Sequence, residues 1–252
     1  MLAKRIIPCL DVHEGRVVKG IHFQGLREMG DPLSLGLRYE ELGADELVYL
    51  DISASVEGRK TFLTAVERIA SRLRIPFTVG GGVREVADIR ALLEAGADKV
   101  SLNTAAILRP LLIEEGAALF GRQCIVLAID VQKEAPALYR VYSHGGRIAT
   151  DWEVVLWCKE GINRGAGEIL LTAIGQDGTR SGFDVQLIRS ITSWAKVPVI
   201  ASGGAGALHH FLEVFREGGA DAALAAGLFH EGVLTPYEVK LYLHQYQIPV
   251  RL

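Results

Sequence analysis

Residues 76–103, PFTVGGGVREVADIRALLEAGADKVSLN, set the plan of the whole chain. PFTVGG (76–81) is a short apolar run closed by glycines and reads as a strand. In VADIRALLEAG (86–96), Ile89, Leu92 and Leu93 fall on one helical face, and Gly96 ends the helix. DKVSLN (98–103) is strand-like again, so the stretch is one β–α–β unit. The same alternation runs outward in both directions. Further strands are expected at RIIPCLDV (5–12), ELVYLDI (46–52), QCIVLAID (123–130), EILLTAI (168–174), VPVIAS (197–202) and DAALAAG (221–227). Helical patterns between them include LRYEELG (37–43), TFLTAVERIASRL (61–73) and HHFLEVFREGG (209–219). Glycines 43, 165 and 219 close helices as Gly96 does. Several strands are apolar almost throughout, as parallel strands covered on both faces are. Eight βα units in 252 residues predict an α/β chain closed into a (β/α)8 TIM barrel with eight helices. An open doubly wound sheet is the alternative, weakened by the lack of a GxGxxG after the first strand.

The unit also has a copy of itself. Gly81-Gly82 matches Gly203-Gly204, and Gly43-Ala44-Asp45 matches Gly165-Ala166-Gly167, both at an offset of 122 residues. Gly96-Ala97-Asp98 matches Gly219-Ala220-Asp221 at 123, and Leu10-Asp11-Val12 matches Ile129-Asp130-Val131 at 119. The chain reads as one domain over 1–252 made of two similar half-barrels, about 1–122 and 123–252. With strands about 45° apart around the axis, strands n and n+4 face each other. Asp11 and Asp130 then look at one another across the mouth, and the glycine turns after strands 3 and 7 oppose each other.

Composition narrows the chemistry. The chain is 49% hydrophobic and 23% charged, with 28 glycines and a formal net charge of −3. A core of this size needs neither disulfides nor metals, and no basic footprint for nucleic acid is present. Cys9, Cys124 and Cys158 are scattered, with Cys9 and Cys124 in strand-like runs, and read as reduced thiols. No stretch has the length of a membrane span, and MLAKRIIPCLDV lacks the pattern of a secretory signal. A cytoplasmic protein without metal or cofactor and without nucleic-acid or membrane partners is expected.

The mouth carries the candidate chemistry. The small residues of Gly80-Gly81-Gly82 with Ser101, Asn103 and Thr104, and of Gly203-Gly204-Ala205-Gly206 with Ala226 and Gly227, let backbone N–H groups approach an anion. Two opposed phosphate sites imply a substrate with a phosphate at each end; the plainer reading is glycines that relieve crowding in turns. Asp11 and Asp130 end opposite strands against apolar neighbours, and partial burial suits a carboxyl to general acid or base work. Asp51 is a third, supporting candidate. Long loops after strand 1 (His13 to Gly30) and strand 5 (Val131 to Thr150) flank the mouth, and YRVYSHGGRI in the second predicts a hairpin turning at Gly145-Gly146. Lys19, on the first loop, would close on a phosphate or remain a solvated lysine. At the other end of the barrel Arg5, Glu46, Lys99 and Glu168 begin strands. Pointing inward, they form a ring of ion pairs, either structural or a gate.

KRIIPCLDVHEGRVVKG, GDP, LDISAS, FTVGGGV, GADKVSLNTAA, VLAID, GAGEILLT, DGTRSG, PVIASGGAG, DAALAAG and the ending PVRL resemble the cyclase subunit of imidazole glycerol phosphate synthase, in order and over essentially the whole chain. The resemblance implies a two-half (β/α)8 barrel of histidine biosynthesis, a lyase that takes ammonia from a partner glutaminase. Its substrate would be the bisphosphorylated phosphoribulosyl-formimino-aminoimidazole carboxamide ribonucleotide, and its products imidazole glycerol phosphate and aminoimidazole carboxamide ribonucleotide. It further implies Asp11 and Asp130 as the acid/base pair. Lys19 would bind substrate, Gly82, Asn103 and Thr104 would hold one phosphate, and Asp177, Gly178, Gly203, Ala226 and Gly227 the other. Arg5, Glu46, Lys99 and Glu168 would gate an ammonia path from a glutaminase docked on the N-terminal face. The chain departs from the family pattern at His22, Gly25, Gly175, Gln176 and Gly227, and FHEGVL is one residue short. The related sugar-phosphate isomerase and a non-catalytic phosphate-binding barrel are the competing readings.

Overall fold

The computed structural model describes residues 2–21, 24–52, 59–136 and 138–252, so that His22 and much of the 50–55 run lie outside it. In chain order the strands are β1 (Arg5–His13), β2 (Arg16–Ile21), β3 (Gln24–Gly30), β4 (Leu47–Asp51), β5 (Phe77–Gly80), β6 (Lys99–Leu102) and β7 (Ile125–Ala135). They continue as β8 (Leu138–Ser143), β9 (Ile148–Glu153), β10 (Glu168–Ala173), β11 (Val199–Ser202) and β12 (Ala222–Ala225). The helices are α1 (Pro32–Glu41), α2 (Arg59–Ala70), α3 (Val86–Glu94), α4 (Thr104–Leu108) and α5 (Leu111–Phe120). After them come α6 (Val154–Asn163), α7 (Val185–Thr192), α8 (Leu208–Arg216), α9 (Gly227–His230) and α10 (Pro236–Gln245). Eight parallel strands run in the order β10-β11-β12-β1-β4-β5-β6-β7, and β7 pairs with β10 to close the barrel.

The two-residue period of a strand sorts side chains inward and outward. Ile7, Cys9, Val48, Val126, Leu170, Ile200, Ala222 and Leu224 form the barrel's inner core, while alternate residues such as Ile6, Leu10, Leu127 and Ile169 pack under the helices. One inward column on β1 therefore runs Arg5, Ile7, Cys9, Asp11, from the floor to the mouth. On β7 the column Val126, Ala128, Asp130 ends the same way.

The Gly-Ala-Asp repeats have a mechanical meaning. Gly43, Gly96, Gly165 and Gly219 all have positive φ, as a helix-ending glycine requires. The aspartate that follows turns back on a neighbouring strand: Asp45 accepts from the Ile6 N–H at 2.8 Å, Asp98 from Phe77 at 2.8 Å, and Asp221 from Val199 at 3.0 Å. The remaining copy has Gly167 instead, because a Cβ there would stand 2.0 Å from the Arg122 carbonyl oxygen.

Several expectations need correction. The stretch after β1 is not a loop: β1 folds back on β2 at the turn Glu14-Gly15, both with positive φ, as a type I′ hairpin demands. Lys19 is thus on a strand. The β8–β9 hairpin turns at Gly145-Gly146 as expected, on an antiparallel extension of β7. Ten α-helices are present among the described residues rather than eight, with α4 and α9 as short additions at the mouth. Helix α1 begins at Pro32, because the Asp31 side chain caps the Ser34 N–H and proline suits the first turn. Cys124 is in a short 3₁₀ turn before β7, not in the strand.

Candidate active site

The mouth encloses a cavity of about 1660 Å³. Asp11, Lys19, Gly82, Asn103, Thr104, Asp130, Asp177, Gly178, Gly203, Ala226 and Gly227 all line it. The two aspartates crown their inward columns on opposite strands, β1 and β7. Burial pushes the Asp130 carboxyl up to about 6; the Asn103 hydrogen bond pulls it down, and Asp177 and Asp11 push it further up. Burial likewise raises Asp11, opposed by Lys19 and reinforced by Asp177.

Each carboxylate has its own partners. Asn103 Nδ2 donates to Asp130 Oδ2 at 2.8 Å, while Asn103 Oδ1 is buried without a partner. Asn103 is the residue before α4, so it serves Asp130 directly rather than only a phosphate. Lys19 Nζ lies 3.5 Å from Asp177 Oδ1 and 4.0 Å from Asp11 Oδ2. Burial disfavours its charge, but Asp177 and Asp11 outweigh this and hold the ammonium above its ordinary pKa. Cys9 donates its thiol to Asp11 Oδ1 at 3.7 Å; burial and Asp11 push the thiol well up, so it stays protonated and is no nucleophile.

The turns are built from backbone. A Cβ on Gly81 would meet the Asp51 carbonyl oxygen at 2.1 Å, and one on Gly204 would meet that of Gly182 at 2.0 Å. Asp51 supports a turn with its main chain, at the rim of the cavity. Thr104 Oγ1 accepts the His144 N–H at 2.8 Å, which docks the β8–β9 hairpin tip on the first turn and leaves the hydroxyl proton to donate to a ligand. Tyr39 Oη and His230 Nδ1 are 2.5 Å apart and tie α1 to α9. Burial, aided by Lys19, lowers His230 to about 4 and keeps the ring neutral.

The mouth includes cations that sequence reasoning missed. Arg84, Arg109 and Arg147 border the cavity at the first turn, and Arg180 at the second. Arg147 follows the Gly145-Gly146 turn and Arg180 is part of DGTRSG, which is the signal that was present.

The four floor charges stand apart from this cavity. Arg5 reaches Glu46 at 2.8 Å and Glu168 at 2.5 Å, and Lys99 reaches Glu46 at 2.9 Å and Glu168 at 2.7 Å. The ring is closed. Thr78 Oγ1 adds a hydrogen bond to Glu46 at 2.7 Å. Glu46 and Glu168 are nearly buried, with side chains 1% and 6% exposed.

Two carboxyls on opposite strands between opposed glycine turns, at the mouth of a (β/α)8 barrel, make the frame of a barrel enzyme. The histidine biosynthesis protein family matches residues 5–235. Over all 252 residues of both chains, this sequence is 59% identical to imidazole glycerol phosphate synthase subunit HisF of Bacillus subtilis (strain 168). It is 58% identical to that of Geobacillus thermodenitrificans (strain NG80-2) and 57% to that of Halalkalibacterium halodurans, again over both full lengths. The chain belongs to this family, the cyclase subunits of imidazole glycerol phosphate synthase, enzymes of histidine biosynthesis.

Proposed function

We propose that the chain, one domain of two half-barrels, closes the imidazole ring with Asp11 and Asp130 as its acid/base pair. The substrate is phosphoribulosyl-formimino-aminoimidazole carboxamide ribonucleotide, and the nitrogen is ammonia from a glutaminase on the N-terminal face. The observation that carries this reading is the pair of raised, half-buried carboxyls on opposite strands, each with different partners. Asp130, near 6, exchanges its proton at neutral pH, and Asp11, raised by burial, stands on the opposite side of the substrate, so the two divide the roles. Ammonia adds to the ketose carbonyl and water leaves to give an imine; its nitrogen then bonds to the formimino carbon, and the C–N bond to aminoimidazole carboxamide ribonucleotide breaks. One carboxyl gives protons to the departing water and amine, and the other takes them from the added nitrogen. The phosphates seat on the turns after β5 and β11, with Gly82 and Thr104 at one end and Gly178, Gly203, Ala226 and Gly227 at the other. Lys19 and Asp177 link the second end to Asp11. Among the described residues no helix is long and apolar enough to cross a membrane; a cytoplasmic location fits a biosynthetic role.

The test is an assay of ring closure with ammonium salts beside an assay of isomerisation of the unrearranged ribonucleotide. Ring closure alone is expected; isomerisation alone would assign the related isomerase, and neither would leave a binding barrel. Crystals grown with phosphate should hold one anion near Gly82 and Thr104 and another near Gly203 and Gly227. Anions found only at the floor would remove both site assignments.

Asn103 gives a pH test. Its hydrogen bond favours the ionised form of Asp130 and so lowers its pKa. Asn103→Ala should therefore move the limb that Asp130 sets in the kcat/KM profile to higher pH. An unmoved profile would detach Asn103 from Asp130 in catalysis.

A further inference from the structure

We propose that Arg180 is a phosphate-binding residue at the β11–β12 end of the mouth, and that Glu231 occupies its guanidinium until a substrate phosphate takes the carboxylate's place. The inference rests on the second phosphate site proposed above.

The backbone of Arg180 is fixed to that site. Its φ is +59°, a left-handed conformation that non-glycine residues adopt rarely. Gly182 N–H donates to the Gly204 carbonyl at 2.8 Å, and a Cβ on Gly206 would lie 2.3 Å from the Arg180 carbonyl oxygen. The 177–182 loop thus lies flush on the glycine turn, and the Arg180 side chain borders the cavity. From the other side comes Glu231, the residue after α9. Its Oε1 lies 3.9 Å from where a Cβ on Gly227 would stand, and Lys19 Cε lies 3.5 Å from the same point. Arg180 and Glu231 are ion-paired through Nη2 and Oε2, with both side chains 45% exposed.

A carboxylate is a strange neighbour for an anion cradle. Left alone, Glu231 repels a phosphate dianion; tied to Arg180, it neutralises a cation that would otherwise attract any passing anion. An exposed pair contributes little, whereas a guanidinium meets phosphate with two parallel charge-assisted bonds. Lys19 is committed to Asp177 and Asp11, so Arg180 is the group that a weak contact holds ready. The exchange trades one acceptor for a better one and releases the Glu231 carboxylate, already 45% exposed, to water.

The opposite signs of the two variants make the test sharp. The two products carry one phosphate each, so each reports on one end of the mouth. Product inhibition of ring closure with ammonium salts is measured on the full chain. Arg180→Gln should weaken one product by about tenfold, the scale of a lost charged hydrogen bond, and leave the other within about twofold. Glu231→Gln should tighten that same product severalfold, and the double variant should lose the gain. Weakening of both products, of neither, or by Glu231→Gln as well would overturn the proposal and make the pair structural. Phosphate-grown crystals separate this failure from that of the site itself. An anion at Gly203 and Gly227 with Arg180 turned from Glu231 supports the exchange. The same anion with Arg180 still on Glu231 overturns the exchange alone, and no anion there overturns both.

Discussion

Asp130→Asn should lower kcat by roughly 10²-fold or more, the usual contribution of a positioned acid or base, with KM little changed. Asparagine keeps the size of the side chain, and Asn103 can turn its amide to bond it. What is lost is the proton. In the proposed binding mode the substrate is held by the turns at the ends of β5 and β11, which the substitution does not touch. Asp11→Asn should behave alike, since its carboxyl is also raised by burial. Steady-state kinetics with ammonium salts as nitrogen source measures both. Turnover near that of the unchanged enzyme in either variant would take that residue out of the mechanism, and a large rise in KM with constant kcat would make it a binding group.

Lys99→Leu should separate the two nitrogen sources. With glutamine and the glutaminase subunit, turnover should fall severalfold or more; with excess ammonium salt it should change little. The ring explains why. At neutral pH most ammonia is protonated and not nucleophilic, so delivery through an apolar interior keeps it reactive. Above the ring the inner layer is mostly apolar, with Ile7, Val48, Val126, Leu170 and Ile200 beside the Ser101 hydroxyl, and among the described residues holds no charged side chain to pair with an ion. Without Lys99 the two nearly buried glutamates share only Arg5, and losing one partner of such a pair costs about 3–5 kcal/mol. Assays belong below the variant's melting transition, which calorimetry locates. Equal losses with both sources would make the ring purely structural.

Much of this geometry was open to reading in the chain itself. Period-2 alternation places Asp11 above Cys9 and Ile7, and the repeated glycine turns announce two similar ends. Helix boundaries and the mouth's side-chain pairs were harder. The Glu14-Gly15 turn lacks the Asn-Gly signature that marks most type I′ hairpins, so Lys19 read as a loop residue. The bond of Asn103 to Asp130 was not legible, because it depends on where α4 starts. Arg180 with Glu231, and Tyr39 with His230, are separated by 51 and 191 residues; such contacts follow from the paths of loops, which periodicity does not describe.

The aspartates after Gly43-Ala44, Gly96-Ala97 and Gly219-Ala220 have a consequence at the far end of the barrel. A strand that slipped against its neighbour would pull an N–H group away from Asp45, Asp98 or Asp221 and break that hydrogen bond. Slippage is therefore barred at the floor, and with it any change in the barrel's stagger. Strand number and stagger together determine a barrel's radius. The radius in turn sets the span between the turns after β5 and β11. On the proposed binding mode the mouth is a caliper locked from below: it would accept molecules whose two ends match one length, and the hairpins and short helices around it could vary without resetting the gauge.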